Sequence, residues 1–89
     1  MVRMFVRHHV ADYPAWRAVY DSIDDTRAGM GVTDHAVFCS IDDERDVTAW
    51  HDFDGEGAAR AFAASPVLRE TMERAGVQGA PQIWFTTSA

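Results

Sequence analysis

The strongest constraint on the fold is the order in which strand-like and helix-like segments follow one another. Val, Phe and Met interleaved with Arg and His predict a first strand at Val2–Val10. Apolar residues at helical spacing then predict a helix that Asp12 caps and that runs to about Ala28. Gly29 and Gly31 end that helix, because glycine closes a last helical turn without steric cost.

The rest of the chain completes this order. Two strands, from about Thr33 to Ile41 and from Asp46 to Phe53, flank a polar turn and predict an antiparallel hairpin. Asp54 is the expected cap of a long second helix, which bends near Ser65 because a proline follows. A last strand is predicted at Gln82–Thr87, where Pro81 favours an edge position in the sheet.

The order strand, helix, strand, strand, helix, strand is typical of an α+β fold of the ferredoxin-like kind. Right-handed crossovers put both helices on one face of a four-stranded antiparallel sheet and leave the other face bare. The 89 residues provide for one such domain, spanning residues 1–89. A domain of this size buries only about 60% of its unfolded surface. We therefore expect a homodimer, in which two bare faces form a dimeric α+β barrel.

Strand periodicity divides the side chains between the two faces. The bare face is expected to carry Arg3, Phe5, Arg7 and His9, with Phe38 and Trp50. The face beneath the helices is expected to carry Met4, Val6, His8, Val10, His35, Val37, Cys39, Ile41, Val47, Ala49, His51 and Phe53. A shift of one residue in the hairpin register would exchange the faces of a strand.

Three histidines of the helix-covered face are the candidate catalytic residues. His8, His35 and His51 are expected to converge at one end of the sheet. Imidazoles suit acid–base chemistry near neutral pH, but three of them also form zinc sites, and buried histidines can serve packing alone. Their spacing matches no local metal motif, so we predict no bound metal.

Five large apolar residues are candidates for the walls of a ligand pocket between helices and sheet. Such a pocket would accept a flat, aromatic molecule. The candidates are Trp16, Tyr20, Phe62, Met72 and Trp84. The alternative is that these side chains only form the core.

Composition excludes several classes of function. The chain has no Lys, which removes Schiff-base chemistry, lysine-dependent pyridoxal chemistry and the lysine of phosphate-binding loops. Fourteen acidic residues against eight Arg give a net charge of -6, which predicts neither a nucleic-acid nor a membrane partner. The lone Cys39 cannot form an internal disulfide, and no segment is typical of a secretion signal, so a cytoplasmic location is expected.

Two segments resemble the antibiotic biosynthesis monooxygenase-like families of dimeric α+β barrels. They are His51–Glu70 and Val10–Trp16, which together include parts of both strand–helix–strand connections. The resemblance implies oxidation or rearrangement of aromatic, often polyketide-derived compounds without metal, flavin or heme. Many relatives carry a histidine where this chain has Phe62, and some use an asparagine, of which this chain has none.

Because of these differences, the expected base comes from the sheet. The leading hypothesis is a cofactor-independent monooxygenase or cyclase that acts on a small aromatic or polyketide-like substrate. The alternatives are a non-catalytic small-molecule-binding or stress-response barrel, and a heme or metal binder.

Overall fold

A computed structural model, which describes all 89 residues, contains four strands and four helices. The elements are β1 (Val2–Val10), α1 (Tyr13–Ser22), α2 (Asp24–Gly29), β2 (Val32–Cys39), β3 (Asp46–Phe53), α3 (Glu56–Ala63), α4 (Pro66–Arg74) and β4 (Val77–Thr87). The strands form one antiparallel sheet in the order β2-β3-β1-β4. The predicted α+β, ferredoxin-like architecture is confirmed.

Both predicted helices are divided. Asp12 caps α1 as expected, since its Oδ1 accepts a hydrogen bond from the Ala15 backbone N–H at 3.2 Å. The first predicted helix breaks at Ile23, which is the C-terminal cap of α1 and has a ψ of 23°. Arg27 folds back over this break and donates from Nη1 to the Tyr20 carbonyl at 2.6 Å. None of the helices is long and apolar enough to cross a membrane.

The second predicted helix bends where the sequence indicates. Ser65 lies between α3 and α4, and Pro66 opens α4, although the Ser65 side chain makes no capping hydrogen bond. The prediction that Asp54 caps α3 is wrong. Gly55 takes the capping position, and no side chain caps this end.

The last strand starts at Val77, earlier than the predicted Gln82. Its pairing with β1 is irregular between Arg7 and His9, whose partners are Gln82 and Gln78. The irregularity absorbs two extra residues of β4, so the strand continues past Pro81. As predicted, Pro81 lies in an edge strand.

The pairing register sets the two faces of the sheet as predicted, with one exception. His35 lies opposite His51, and His51 lies opposite Met4, so these three side chains share the face beneath the helices. Buried residues of this face form two clusters with the helices. Ile41 is the exception, because β2 ends at Cys39 and Ile41 stands fully exposed in the following turn.

No helix covers the opposite face, which combines ion pairs with aromatic rings. Arg3 makes two hydrogen bonds to Asp52, at 2.7 and 3.0 Å, and its guanidinium lies 3.7 Å from the centre of the Trp50 ring. Arg7 pairs with Asp46 in the same two-bond geometry, at 3.0 and 2.7 Å. These pairs neutralise charge across neighbouring strands of the bare face.

Candidate functional site

An apolar cavity of about 70 Å³ lies between the helices and the sheet. Thirteen of the 17 residues that line it are hydrophobic, so it suits the apolar body of a ligand. Four of the five predicted wall residues line it: Trp16, Tyr20, Phe62 and Met72.

Trp84 does not line the cavity, and its predicted position is corrected. In the pairing of β1 with β4 it lies opposite Phe5, and the two rings stack on the bare face at 5.3 Å between centroids. Successive strand residues point to opposite faces, so its neighbour Ile83 faces the cavity instead.

The three histidines do not converge, which corrects a second expectation. His35 and His51 lie side by side, with ring centroids 6.1 Å apart. His8 lies opposite Val47 at the start of β3, because antiparallel strands bring the end of β1 beside the start of β3. It is four residues along β1 from Met4, the partner of His51, or about 13 Å. No group of three or more His, Cys, Asp or Glu side chains is placed to hold a metal ion.

The Tyr20 hydroxyl joins the two neighbouring histidines. It lies 3.0 Å from His35 Nδ1 and 3.0 Å from His51 Nε2. Trp16, one turn earlier on α1, stacks on the Tyr20 ring at 5.0 Å. His35 Nε2 in turn lies 3.3 Å from Asp24 Oδ1 at the start of α2. Helix and sheet thus hold four polar side chains in one connected row.

Arg27 is a site residue that the sequence analysis missed. It is 2% exposed, lines the cavity, and holds its guanidinium 3.7 Å from the centre of the Tyr20 ring. Its Nη2 reaches Asp24 Oδ1 at 3.3 Å. The available signal was its place on the apolar stripe of the first predicted helix, where an arginine is buried only for a specific reason.

Burial keeps three titratable groups of the cavity, those of His8, His51 and Tyr20, neutral. Desolvation lowers the pKa of His8 to about 4. Desolvation, reinforced by the charge of Arg27, lowers the pKa of His51 to about 3. Desolvation also raises the pKa of Tyr20 to about 12. At pH 7 both imidazoles are therefore free bases and the phenol keeps its proton.

Four buried polar atoms of cavity-lining residues have no hydrogen-bond partner. They are both ring nitrogens of His8, Nδ1 of His51 and Nε of Arg27. Buried polar atoms in proteins are nearly always paired, with water if not with protein. Water or the polar groups of a ligand can therefore pair with these atoms.

Comparisons with known proteins identify the fold. No family model and no curated protein sequence matches the chain. One similar solved structure is the N63A mutant of SnoaB, a cofactor-independent oxygenase from Streptomyces nogalater. Its sequence is 18% identical, and the match covers 98% of this chain and 91% of that chain with a TM-score of 0.77. A putative antibiotic biosynthesis monooxygenase from Bordetella bronchiseptica is 14% identical over 99% and 96%, with a TM-score of 0.84. The chain has the fold of the antibiotic biosynthesis monooxygenase-like proteins.

Proposed function

We propose that this protein is a cofactor-independent enzyme of the monooxygenase or cyclase type, acting on a small aromatic or polyketide-like molecule. The observation that carries the proposal is a neutral imidazole, His51, with one unpartnered nitrogen beside an apolar cavity that Arg27 also lines. The fold, shared with the oxygenase SnoaB, supports the same reaction class. The lone Cys39, which has no disulfide partner, supports a cytoplasmic setting.

Substrate binding uses the apolar walls of the cavity. Trp16 and Phe62 offer ring surfaces to an aromatic substrate. The volume of about 70 Å³ is below the roughly 300–1,000 Å³ of typical ligand pockets, so the cavity widens when a substrate enters. We propose that α4 moves, because it contributes Leu68, Thr71 and Met72 to the lining while only Thr71 of the helix is fully buried.

The proposed chemistry begins with proton removal. The unpartnered Nδ1 of His51 accepts the proton of a phenol or of an acidic ring carbon. Arg27 supplies a fixed positive charge that stabilises the resulting anion in a dry site. Such an electron-rich anion can donate an electron to oxygen by itself, so the protein needs only to bind, desolvate and position it.

A screen of substrate classes tests this function. Hydroxylated anthrones, quinols and linear polyketide analogues are incubated with the protein, and oxygen uptake and absorption spectra are recorded. We expect at least one class to be turned over without added metal, flavin or heme. A protein that binds one class tightly and turns over none would contradict the enzymatic proposal.

That outcome would favour the second candidate function, a non-catalytic binding barrel. The observation in its favour is Phe62, which lies where many family members carry a histidine and packs its ring 5.1 Å from that of His51. A heme or metal protein would instead show a Soret band or about one retained metal ion per chain.

We also propose that the bare face of the sheet pairs with a second copy of the chain. Phe38 and Trp84 are large apolar residues left exposed on this face, with 55% and 42% of their surface accessible. Aromatic residues and arginines are enriched in interfaces between proteins. The ion pairs Arg3–Asp52 and Arg7–Asp46 compensate four of the charges on this face, which reduces the repulsion between two identical faces.

Light scattering at micromolar concentration tests the dimer. We expect about twice the chain mass of 9.9 kDa. Phe38→Glu should shift the protein towards the monomer, because it places a charge in the interface. Ile41→Glu is the matched control, since Ile41 is equally apolar and fully exposed but lies in the turn outside the sheet. A wild-type monomer would refute the pairing.

A further inference from the structure

The row of polar side chains at the cavity leads from the protein interior to solvent. It begins at His51, which is 3% exposed, and passes through the Tyr20 hydroxyl to His35. It ends at Asp24, whose side chain is 68% exposed. The Tyr20 hydroxyl is within hydrogen-bonding distance of both histidines, at 3.0 Å from each, and His35 Nε2 makes a charge contact of 3.3 Å with the Asp24 carboxylate.

The exposed end of the row sets the direction of every hydrogen bond in it. His35 Nε2 lies 3.3 Å from Asp24 Oδ1, and the negative charge of this carboxylate favours the tautomer of His35 that carries its hydrogen on Nε2. In a neutral imidazole the other nitrogen is then an acceptor, and Tyr20 donates its hydroxyl hydrogen to His35 Nδ1. The Tyr20 oxygen is left to accept from His51 Nε2, which places the hydrogen of His51 there.

This direction leaves Nδ1 of His51 with a free lone pair. It is the nitrogen without a hydrogen-bond partner, on a ring that lines the cavity. We propose that Tyr20, His35 and Asp24 form a proton relay, which holds His51 in the tautomer that can accept a substrate proton and passes a proton on to solvent. The relay rests on the function proposed above, with His51 as its catalytic residue and the other three as positioning residues.

The transfer is balanced at every atom. The substrate's bond to hydrogen breaks and a bond to His51 Nδ1 forms, while Nε2 gives its hydrogen to the Tyr20 oxygen. Tyr20 gives its original hydrogen to His35 Nδ1, and His35 Nε2 gives its hydrogen to the Asp24 carboxylate, from which water removes it. The reverse sequence returns a proton to the product and restores the starting tautomers.

A relay explains how His51 can act as a base although burial opposes its protonation. An imidazolium at His51 would lie in a desolvated site and near the positive charge of Arg27. The rings of His35 and, farther along the sheet, His8 share this face, and the carboxylate of the adjacent residue Asp52 is paired with Arg3 on the other face. With the relay, His51 is neutral before and after the transfer, so this cost does not arise.

Nuclear magnetic resonance of ¹⁵N-histidine-labelled protein tests the arrangement without any substrate. Two-bond ¹H–¹⁵N spectra show which ring nitrogen carries the hydrogen. We expect His35 and His51 to carry it on Nε2 at neutral pH. A hydrogen on Nδ1 of either ring, or on both nitrogens of His51, would overturn the proposal.

The exchange of the His51 Nε2 hydrogen with water tests proton movement along the row. If Tyr20 and His35 conduct protons, Tyr20→Phe and His35→Gln should slow this exchange, by about 10²-fold at the low end of what a positioned proton-transfer group contributes. Tyr20→Phe keeps the ring that stacks on Trp16, and His35 is partly exposed, so both variants should fold. If the row only holds the structure together, removing a hydrogen bond speeds the exchange, and that result would refute the relay.

Where the wild-type protein turns over a hydroxyanthrone, the same two variants should lower kcat by about 10²-fold with KM unchanged. Equal kcat in Tyr20→Phe and the wild type would also refute the relay. If no substrate is turned over, the enzymatic proposal is refuted independently of the relay. The tautomer and exchange measurements still test the relay, because they need no substrate.

Discussion

Replacing His51 by Gln should lower the turnover of a reactive hydroxyanthrone or quinol by about 10²- to 10⁴-fold, the range that a general base contributes. Glutamine has a similar size and its amide can still bond to the Tyr20 hydroxyl, but it cannot accept the substrate proton. The protein should therefore fold and bind ligand as before. Oxygen uptake measures the rate, and circular dichroism and ligand titration check the fold and the binding.

Matched substitutions show which histidine acts. His9→Gln is the control, because His9 is exposed on the bare face beside Asp43. His8→Gln tests the other buried imidazole, which lies at the far end of the cavity-facing side of β1. A large loss of rate in His8→Gln alone would move the base to His8. Full turnover in His8→Gln, His35→Gln and His51→Gln would refute a histidine mechanism.

Acid should destabilise the protein well before its carboxylates are protonated. In the unfolded chain a histidine titrates near pH 6.5, whereas the folded state holds the pKa of His8 at about 4 and that of His51 at about 3. Between these values the unfolded state binds more protons, so the free energy of unfolding falls as the pH falls. Each histidine should contribute a loss of about 1.4 kcal/mol per pH unit below pH 6.5.

Urea unfolding at pH 7.5, 6 and 5 measures this loss, at one fixed protein concentration because a dimer's stability depends on it. His8→Leu should reduce the dependence on pH by about half, since one of two titrating groups is gone. The pKa of Asp46 and of Asp52 is also lowered, by hydrogen bonds from Arg7 and Arg3, but these carboxylates affect stability only near and below pH 4. A free energy of unfolding that stays constant from pH 6.5 to 5 would show that the histidines are not buried as neutral bases.

The parts of the fold that follow from local patterns were predictable from the sequence. The strands β1 and β3 have the predicted bounds, because the side chains of each alternate between the helix-covered face and the bare face of the sheet. Asp12 was a reliable cap because its side chain needs only the backbone of the next turn. The bend at Ser65 followed from the proline after it, which cannot donate a helical hydrogen bond.

Features that depend on the pairing of strands that are distant along the chain could not be predicted from the sequence. The side of the sheet on which Trp84 lies depends on the register between β1 and β4, which pairs Trp84 with Phe5 and which no local pattern encodes. The separation of His8 from the other two histidines depends on which ends of β1 and β3 meet. The sequence placed Arg27 on the apolar stripe of the first helix. Its contact with the Tyr20 carbonyl and ring could not be predicted, because that contact requires the break at Ile23.

Pro81 and the irregular pairing beside it also affect how molecules of this protein can meet. An edge strand with an unbroken row of free N–H and C=O groups is a template on which another chain's strand can add, and repeated addition leads to fibrils. In β4 that row is interrupted, since Pro81 has no N–H and Gly79 turns the backbone with a φ of 72°. Strand-by-strand growth is therefore disfavoured along this edge, even though β4 is the longest strand and carries exposed apolar side chains.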